Sequence, residues 1–166
     1  MHKKIILTGF MGSGKTTVGQ LIAKELKVPF IDVDEEIEKW YGLKTTEIFQ
    51  QFGEQEFRRT ELDQVKRICS NTEIQVVSLG GGAFLQEEIR NTCMENGTVF
   101  YLWVSWDVWK QRLDSLVPSR PLLQGKTENE IHRIFTDRQK IYNTYHFKIK
   151  ADNGAEQTAK EILQEV

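Results

Sequence analysis

Residues 9–16 read G-F-M-G-S-G-K-T: a glycine, four residues, then Gly-Lys-Thr. The apolar run Ile5–Leu7 leads into this stretch, and a helical pattern follows from Thr17 to Leu26. Strand, glycine-rich turn and helix in that order make a phosphate-binding loop. Gly9, Gly12 and Gly14 let the backbone turn so that several N–H groups surround one phosphate. The helix beginning near Gly14 adds its positive dipole end. Lys15 brings a mobile positive charge to the outer phosphates, and Thr16 offers a hydroxyl to Mg²⁺. The loop implies a nucleoside triphosphate. It leaves open whether the phosphoryl group goes to water, a protein or a metabolite.

The rest of the chain alternates strand and helix patterns. Val28–Val33 predicts a second strand, with Asp32 and Asp34 at its end. Residues two apart on a strand share a face, so both carboxylates would enter one crevice, at the edge where α/β sheets bind ligands. One carboxylate near Mg²⁺ and one near a hydroxyl would suit phosphoryl transfer. Asp34-Glu35-Glu36 would equally suit the start of a helix. Residues 34–70 read as helical, with a stop at Gly42, a cap at Thr45 or Thr46, an apolar face of Ile48, Phe49 and Phe52, and a break at Gly53. Arg58 and Arg59 lie early in the next helix, electrostatically the wrong end for a cation. Either an anionic ligand or pairing with Glu54, Glu56 or Glu61 would account for them.

Ile74–Leu79 predicts a third strand that ends in Gly80-Gly81-Gly82, glycines suited to close approach of backbone to a ligand or to a plain loop. A helix is expected over Phe84–Glu95, a long strand over Thr98–Val104 and a helix over Trp106–Leu113. Pro118, Pro121 and Gly125 break the stretch 114–125, which carries Arg120 and reads as a lid. Thr127 and Glu130 form a capping box for a helix running to about Tyr142, with Ile131, Ile134 and Ile141 facing the core and Arg138 beside that stripe. Phe147–Ala151 and Ala155–Val166 supply a last strand and helix. Five strands alternating with helices give an α/β fold with a mainly parallel sheet. His2, His132 and His146 are scattered and receive no chemistry, and the four tryptophans read as packing.

A length of 166 residues fits one domain. The net charge of -2 gives no reason to expect a nucleic-acid or membrane partner. Cys69 and Cys93 without a C-x-x-C motif suggest free thiols rather than a disulfide framework or zinc site. No run approaches a membrane span, and the first strand starts too soon for a leader. A soluble cytoplasmic protein is the expectation.

Taken together, G-x-x-G-x-G-K-T-T-x-G at 9–19, D-x-D at 32–34, F-R-x-x-E at 57–61, G-G-G at 80–82, R-P-L-L at 120–123 and R-x-x-x-Y at 138–142 closely resemble the shikimate kinase family of phosphate-loop proteins. The resemblance covers nearly the whole chain. It implies a three-layer αβα phosphate-loop fold with a five-stranded parallel sheet in the order 2-3-1-4-5. Residues 1–166 would form one kinase domain, with a substrate-binding subdomain at 34–62 and a lid at 113–125. It also implies transfer of the ATP γ-phosphoryl group to the 3-hydroxyl of shikimate, on the route to chorismate and the aromatic amino acids, with Mg²⁺ as cofactor. The implied ATP site comprises Gly12, Ser13, Gly14, Lys15, Thr16, Thr17, Arg112, which would stack on adenine, and Arg120. Thr16 and Asp32 would position Mg²⁺. Asp34 would bind the acceptor hydroxyl as base, Arg58 and Arg138 would grip the carboxylate, and Gly80, Gly81 and Gly82 would line the acid. Lys15, Asp34 and Arg120 form the catalytic set, in a monomer. Rivals are a gluconate or other small-acid kinase of the same fold, a nucleoside monophosphate kinase, which would carry more lid arginines than Arg120 alone, and a non-catalytic nucleotide-binding regulator.

Overall fold

The computed structural model describes residues 4–166, so His2 and Lys3 lie outside the described residues. Among these, five strands form: β1 (Lys4–Thr8), β2 (Phe30–Asp32), β3 (Gln75–Ser78), β4 (Thr98–Trp103) and β5 (Phe147–Lys150). They pair in parallel in the order β2-β3-β1-β4-β5, as the family resemblance implies. Every residue of β1 and β3 is buried, which explains their unbroken apolar runs, since parallel strands are covered on both faces. Edge strand β5 instead exposes Lys148 and Lys150 while burying Ile149.

Helices α1 (Lys15–Leu26), α2 (Val33–Tyr41), α3 (Thr45–Ser70) and α4 (Glu87–Asn96) fill the first crossovers. Beyond β4 come α5 (Trp106–Trp109), α6 (Leu113–Leu116), α7 (Glu128–Gln139) and finally α8 (Ala155–Glu165). The step from β1 to β2 runs opposite to the later steps along the sheet. Right-handed crossovers therefore put α1 on one face and α3 and α4 on the other. Helix α8 joins α1, and α3 packs on α4, giving three layers. The reversal places a crevice at the C-terminal end of β1, where the phosphate loop emerges.

Several expected boundaries shift, each for a local reason. β2 ends at Asp32, and Val33 already belongs to α2. Asp32 is the cap of that helix, accepting from the Glu35 N–H at 3.2 Å, so Asp34 stands in the first helical turn and not at the end of a strand. The strand-alternation argument for the two carboxylates therefore fails. The cap of α3 is Lys44, whose N–H donates to Glu47 Oε2 at 2.9 Å, so neither Thr45 nor Thr46 is its cap. The helix breaks at Gly53 as expected, with φ at 83°. Phe52 is half-exposed rather than part of the core, although its ring lies 5.1 Å from that of Tyr41.

The expected helix over 84–95 is a 3₁₀ turn, Ala83–Leu85, followed by α4. The stretch 106–123 is almost all short helical turns, because Pro118 and Pro121 open new turns, where a missing N–H costs nothing. The Thr127–Glu130 capping box forms, with bonds of 3.2 and 2.8 Å. α7 ends at Gln139, before Tyr142. Phe135, one turn after Ile131, takes the core position expected of Ile134, which is only partly buried. Cys69 and Cys93 are buried free thiols. No described helix is long and apolar enough to cross a membrane.

Candidate active site

The start of α1 is left open. Its cap residue, Gly14, has φ 96° and no side chain to satisfy the first N–H groups, and the first turn holds no acid. By contrast, Asp32 caps α2 and Thr127 caps α7. Unpaired donors and a positive dipole end therefore face the crevice, as anion binding requires. Lys15 is buried there, its Nζ on the carbonyls of Gly9 (2.7 Å) and Phe10 (3.0 Å). Burial pushes its pKa down to about 8, with Arg120 acting in the same direction and Asp34 and Asp32 opposing.

Thr16 Oγ1 donates to Asp32 Oδ2 at 3.2 Å. A hydroxyl and a carboxylate are hard oxygen donors, the chemistry Mg²⁺ takes. Among the described residues no group of three His, Cys, Asp or Glu side chains gathers around one point. The pair suits an ion that keeps waters and draws its remaining ligands from phosphates. The helix cap is thus Asp32, through Oδ1, and not the Asp34-Glu35-Glu36 start that the sequence suggests, while Asp32 Oδ2 stands beside the Thr16 hydroxyl.

Two cavities, each of about 420 Å³, open on the crevice. The first runs along the phosphate loop past Thr16, Asp32 and Arg112 to Ala155 and Thr158 of α8. The second lies among Phe49, Phe57, Arg58, Glu61 and Arg138, with Thr45 and Thr46 also on its wall. Asp34, Arg120, Met11, Gly80 and Gly81 belong to both. A carboxylate and a guanidinium thus stand where the cavities meet. Burial, then Asp32, raises the pKa of Asp34, while Lys15, Arg120 and Arg58 lower it. Arg120 Nε is buried without a hydrogen-bond partner.

The triple glycine has a steric cause that the sequence does not suggest. A Cβ on Gly80 would lie 2.6 Å from Asp34 Oδ1, and one on Gly82 would lie 2.3 Å from Arg58 Nη2. The glycines make room for these two side chains as well as lining the cavity. Arg58 is anchored by Glu61 Oε1 at 2.8 Å and approaches Glu54 at 3.5 Å. Arg58 is therefore paired on its own helix, as one sequence reading has it, and it also lines the second cavity. Arg59, paired with Glu56 and mostly exposed, has no such role. Arg138 has no ion-pair partner among the described residues.

Glu61, the last residue of the F-R-x-x-E motif and one of the candidate pairing partners, proves to be the one that holds Arg58. It is fully buried, accepts from Arg58 and from Gln86 (3.2 Å), and burial raises its pKa to about 7 against the pull of Arg58. Its i+3 spacing from Arg58 was the available signal. Tyr142, whose hydroxyl donates to the Gly81 carbonyl, ties the end of the α7 segment to the triple glycine. Arg112 reaches the first cavity but spends Nη1 on the Gly12 carbonyl at 2.5 Å.

The family model for shikimate kinase matches residues 11–166. A curated shikimate kinase of Bacillus pumilus is 48% identical over 163 residues, spanning 98% of this chain and 88% of its own length. The crystal structure of shikimate kinase from Bacteroides thetaiotaomicron superposes with a TM-score of 0.87 at 32% identity, covering 98% of each chain. That of shikimate kinase from Acinetobacter baumannii in complex with shikimate does so with a TM-score of 0.87 at 34% identity, covering 99% of this chain and 93% of that one.

Proposed function

The chain belongs to the shikimate kinase family, and from that premise we propose how its residues transfer the ATP γ-phosphoryl group to the 3-hydroxyl of shikimate. The observation that carries the assignment of roles is the meeting of the two cavities at Asp34 and Arg120. ATP occupies the first, with its outer phosphates on the open start of α1, at Gly12, Ser13, Gly14, Thr16 and Thr17. Lys15 leaves its two loop carbonyls for phosphate oxygens, which are charged and therefore stronger acceptors. Thr16 and Asp32 would hold Mg²⁺, which when bound neutralises charge across the β- and γ-phosphates.

Shikimate occupies the second cavity. Its carboxylate lies between the guanidinium forks of Arg58 and Arg138, and its carbon ring lies against Phe49 and Phe57. Gly80, Gly81 and Gly82 line one side. Its 3-hydroxyl then faces Asp34. Burial raises its pKa and makes that carboxylate more basic, with Lys15, Arg120 and Arg58 opposing, so it can take the hydroxyl proton as the new P–O bond forms. Arg120 stays with the transferring phosphoryl group. Arg112 borders the nucleotide base. Residues 113–125 act as a lid and 34–62 as the acid-binding subdomain, both excluding water.

An ADP-release assay tests the function directly. Turnover is expected with shikimate and not with gluconate. Comparable rates with gluconate would favour the other small-acid kinase, and ADP release with neither would favour a non-catalytic nucleotide binder.

The Glu61 carboxyl also gives a pH prediction. Its folded pKa of about 7 lies above the ordinary carboxylate value of 4.5, so the folded chain holds this proton more tightly than the unfolded chain. The associated stability is fully present below about pH 4.5 and lost as pH rises through about 7. Glu61→Gln keeps an oxygen for Arg58 but cannot ionise. Its melting temperature relative to the parent should rise from pH 5 to about pH 7 and level off by about pH 8. A constant offset over that range would show that Glu61 does not titrate there.

A further inference from the structure

Trp109 is wholly buried behind the phosphate loop. Its ring centroid lies 5.2 Å from Phe10, 5.3 Å from Phe135 and 5.6 Å from Trp106. Its Nε1–H donates to the Met11 carbonyl at 2.7 Å. Within a trans peptide unit the C=O and the following N–H point in opposite directions. Drawing the Met11 carbonyl back toward Trp109 therefore turns the Gly12 N–H the other way. Among the described residues that N–H has no backbone acceptor, and Gly12 lines the first cavity. Gly12 has φ 74°, and without a side chain the Met11–Gly12 peptide rotates at low steric cost. Released, it would turn an oxygen instead of a hydrogen toward an incoming phosphate. Met11 also abuts the acceptor side, since a Cβ on Gly81 would lie 3.1 Å from the Met11 nitrogen.

We propose that Trp109 is a positioning residue for phosphoryl transfer: its indole N–H fixes the plane of the Met11–Gly12 peptide so that the Gly12 N–H is presented to the nucleotide phosphates. Trp109 touches neither substrate, and it acts through the loop. The inference rests on the nucleotide reading of the first cavity.

Trp109→Phe keeps an aromatic ring in the cluster and removes only the donor and the second ring. The ATP KM should rise about tenfold while the shikimate KM stays within about twofold. A lower melting temperature with an unchanged ATP KM would overturn the proposal, because packing alone would then explain the residue. Should the variant not fold, the parent protein decides. The chain has four tryptophans, and replacing Trp40, Trp103 and Trp106 by phenylalanine one at a time assigns the Trp109 indole NMR signal by elimination. On titration with ADP that signal should shift, and with shikimate alone it should stay. If backbone signals of residues 12–16 move with ADP while the Trp109 indole does not, the proposal fails and the nucleotide site stands. If neither moves, the reading of the cavity fails with it.

Discussion

Asp34→Asn should lower kcat at least about a hundredfold, the lower end of what a positioned general base contributes, while ADP affinity stays within about threefold. The substitution keeps the shape of the side chain and removes its charge and basicity. Asp34 stands where both cavities meet and touches the Cα side of Gly80, so asparagine fits without displacing the loop. Nucleotide contacts made by the start of α1 are left in place. The loss should appear in kcat rather than in either KM, because the carboxylate matters most as the hydroxyl gives up its proton. Steady-state kinetics paired with ADP calorimetry read both sides of this statement. A fall in kcat of less than about twofold would remove Asp34 from the roles of base and hydroxyl anchor.

Arg58→Lys should raise the shikimate KM at least about tenfold, roughly 1.4 kcal/mol of lost binding, with the ATP KM unchanged. Arginine here performs two tasks at once. Nη1 holds the buried Glu61 at 2.8 Å, while Nη2 lies against Gly82 at the wall of the acid cavity. A planar fork serves two carboxylates in fixed directions, and an ammonium is a single point that can follow only one of them. Lysine would stay with the buried Glu61, whose only other donor among the described residues is the neutral Gln86 amide, and the substrate carboxylate would lose its fork. An unchanged shikimate KM would take Arg58 out of the carboxylate site.

The residue chemistry of the site was legible wherever one local segment holds it. The spacing of Gly9 through Thr16 predicts a loop at a helix start, and Gly14 proves to be the uncapped entry to α1. Thr127 and Glu130 announced α7 because a capping box closes within four residues. Asp32 and Asp34 were rightly placed in one crevice for the wrong local reason, since the chain turns helical one residue earlier than its apolar pattern suggests. Glu61 stayed ambiguous because Glu54, Glu56 and Glu61 all lie within helical reach of Arg58 or Arg59, and only burial separates them. The role of Trp109 was invisible: its partner, Met11, is 98 positions away, and an indole in an apolar context reads as packing.

The order of residues along the chain was enough to establish the phosphate loop, the alternation of strand and helix, and the family with its chemistry, because each rests on contacts between near neighbours or on motif spacing. The meeting of two cavities at Asp34 and Arg120, the glycines that make way for Asp34 and Arg58, and the indole behind the loop were decided only when the sheet closed. Those contacts join segments tens of residues apart, and which distant side chains meet depends on register and crossover direction, which no local pattern encodes.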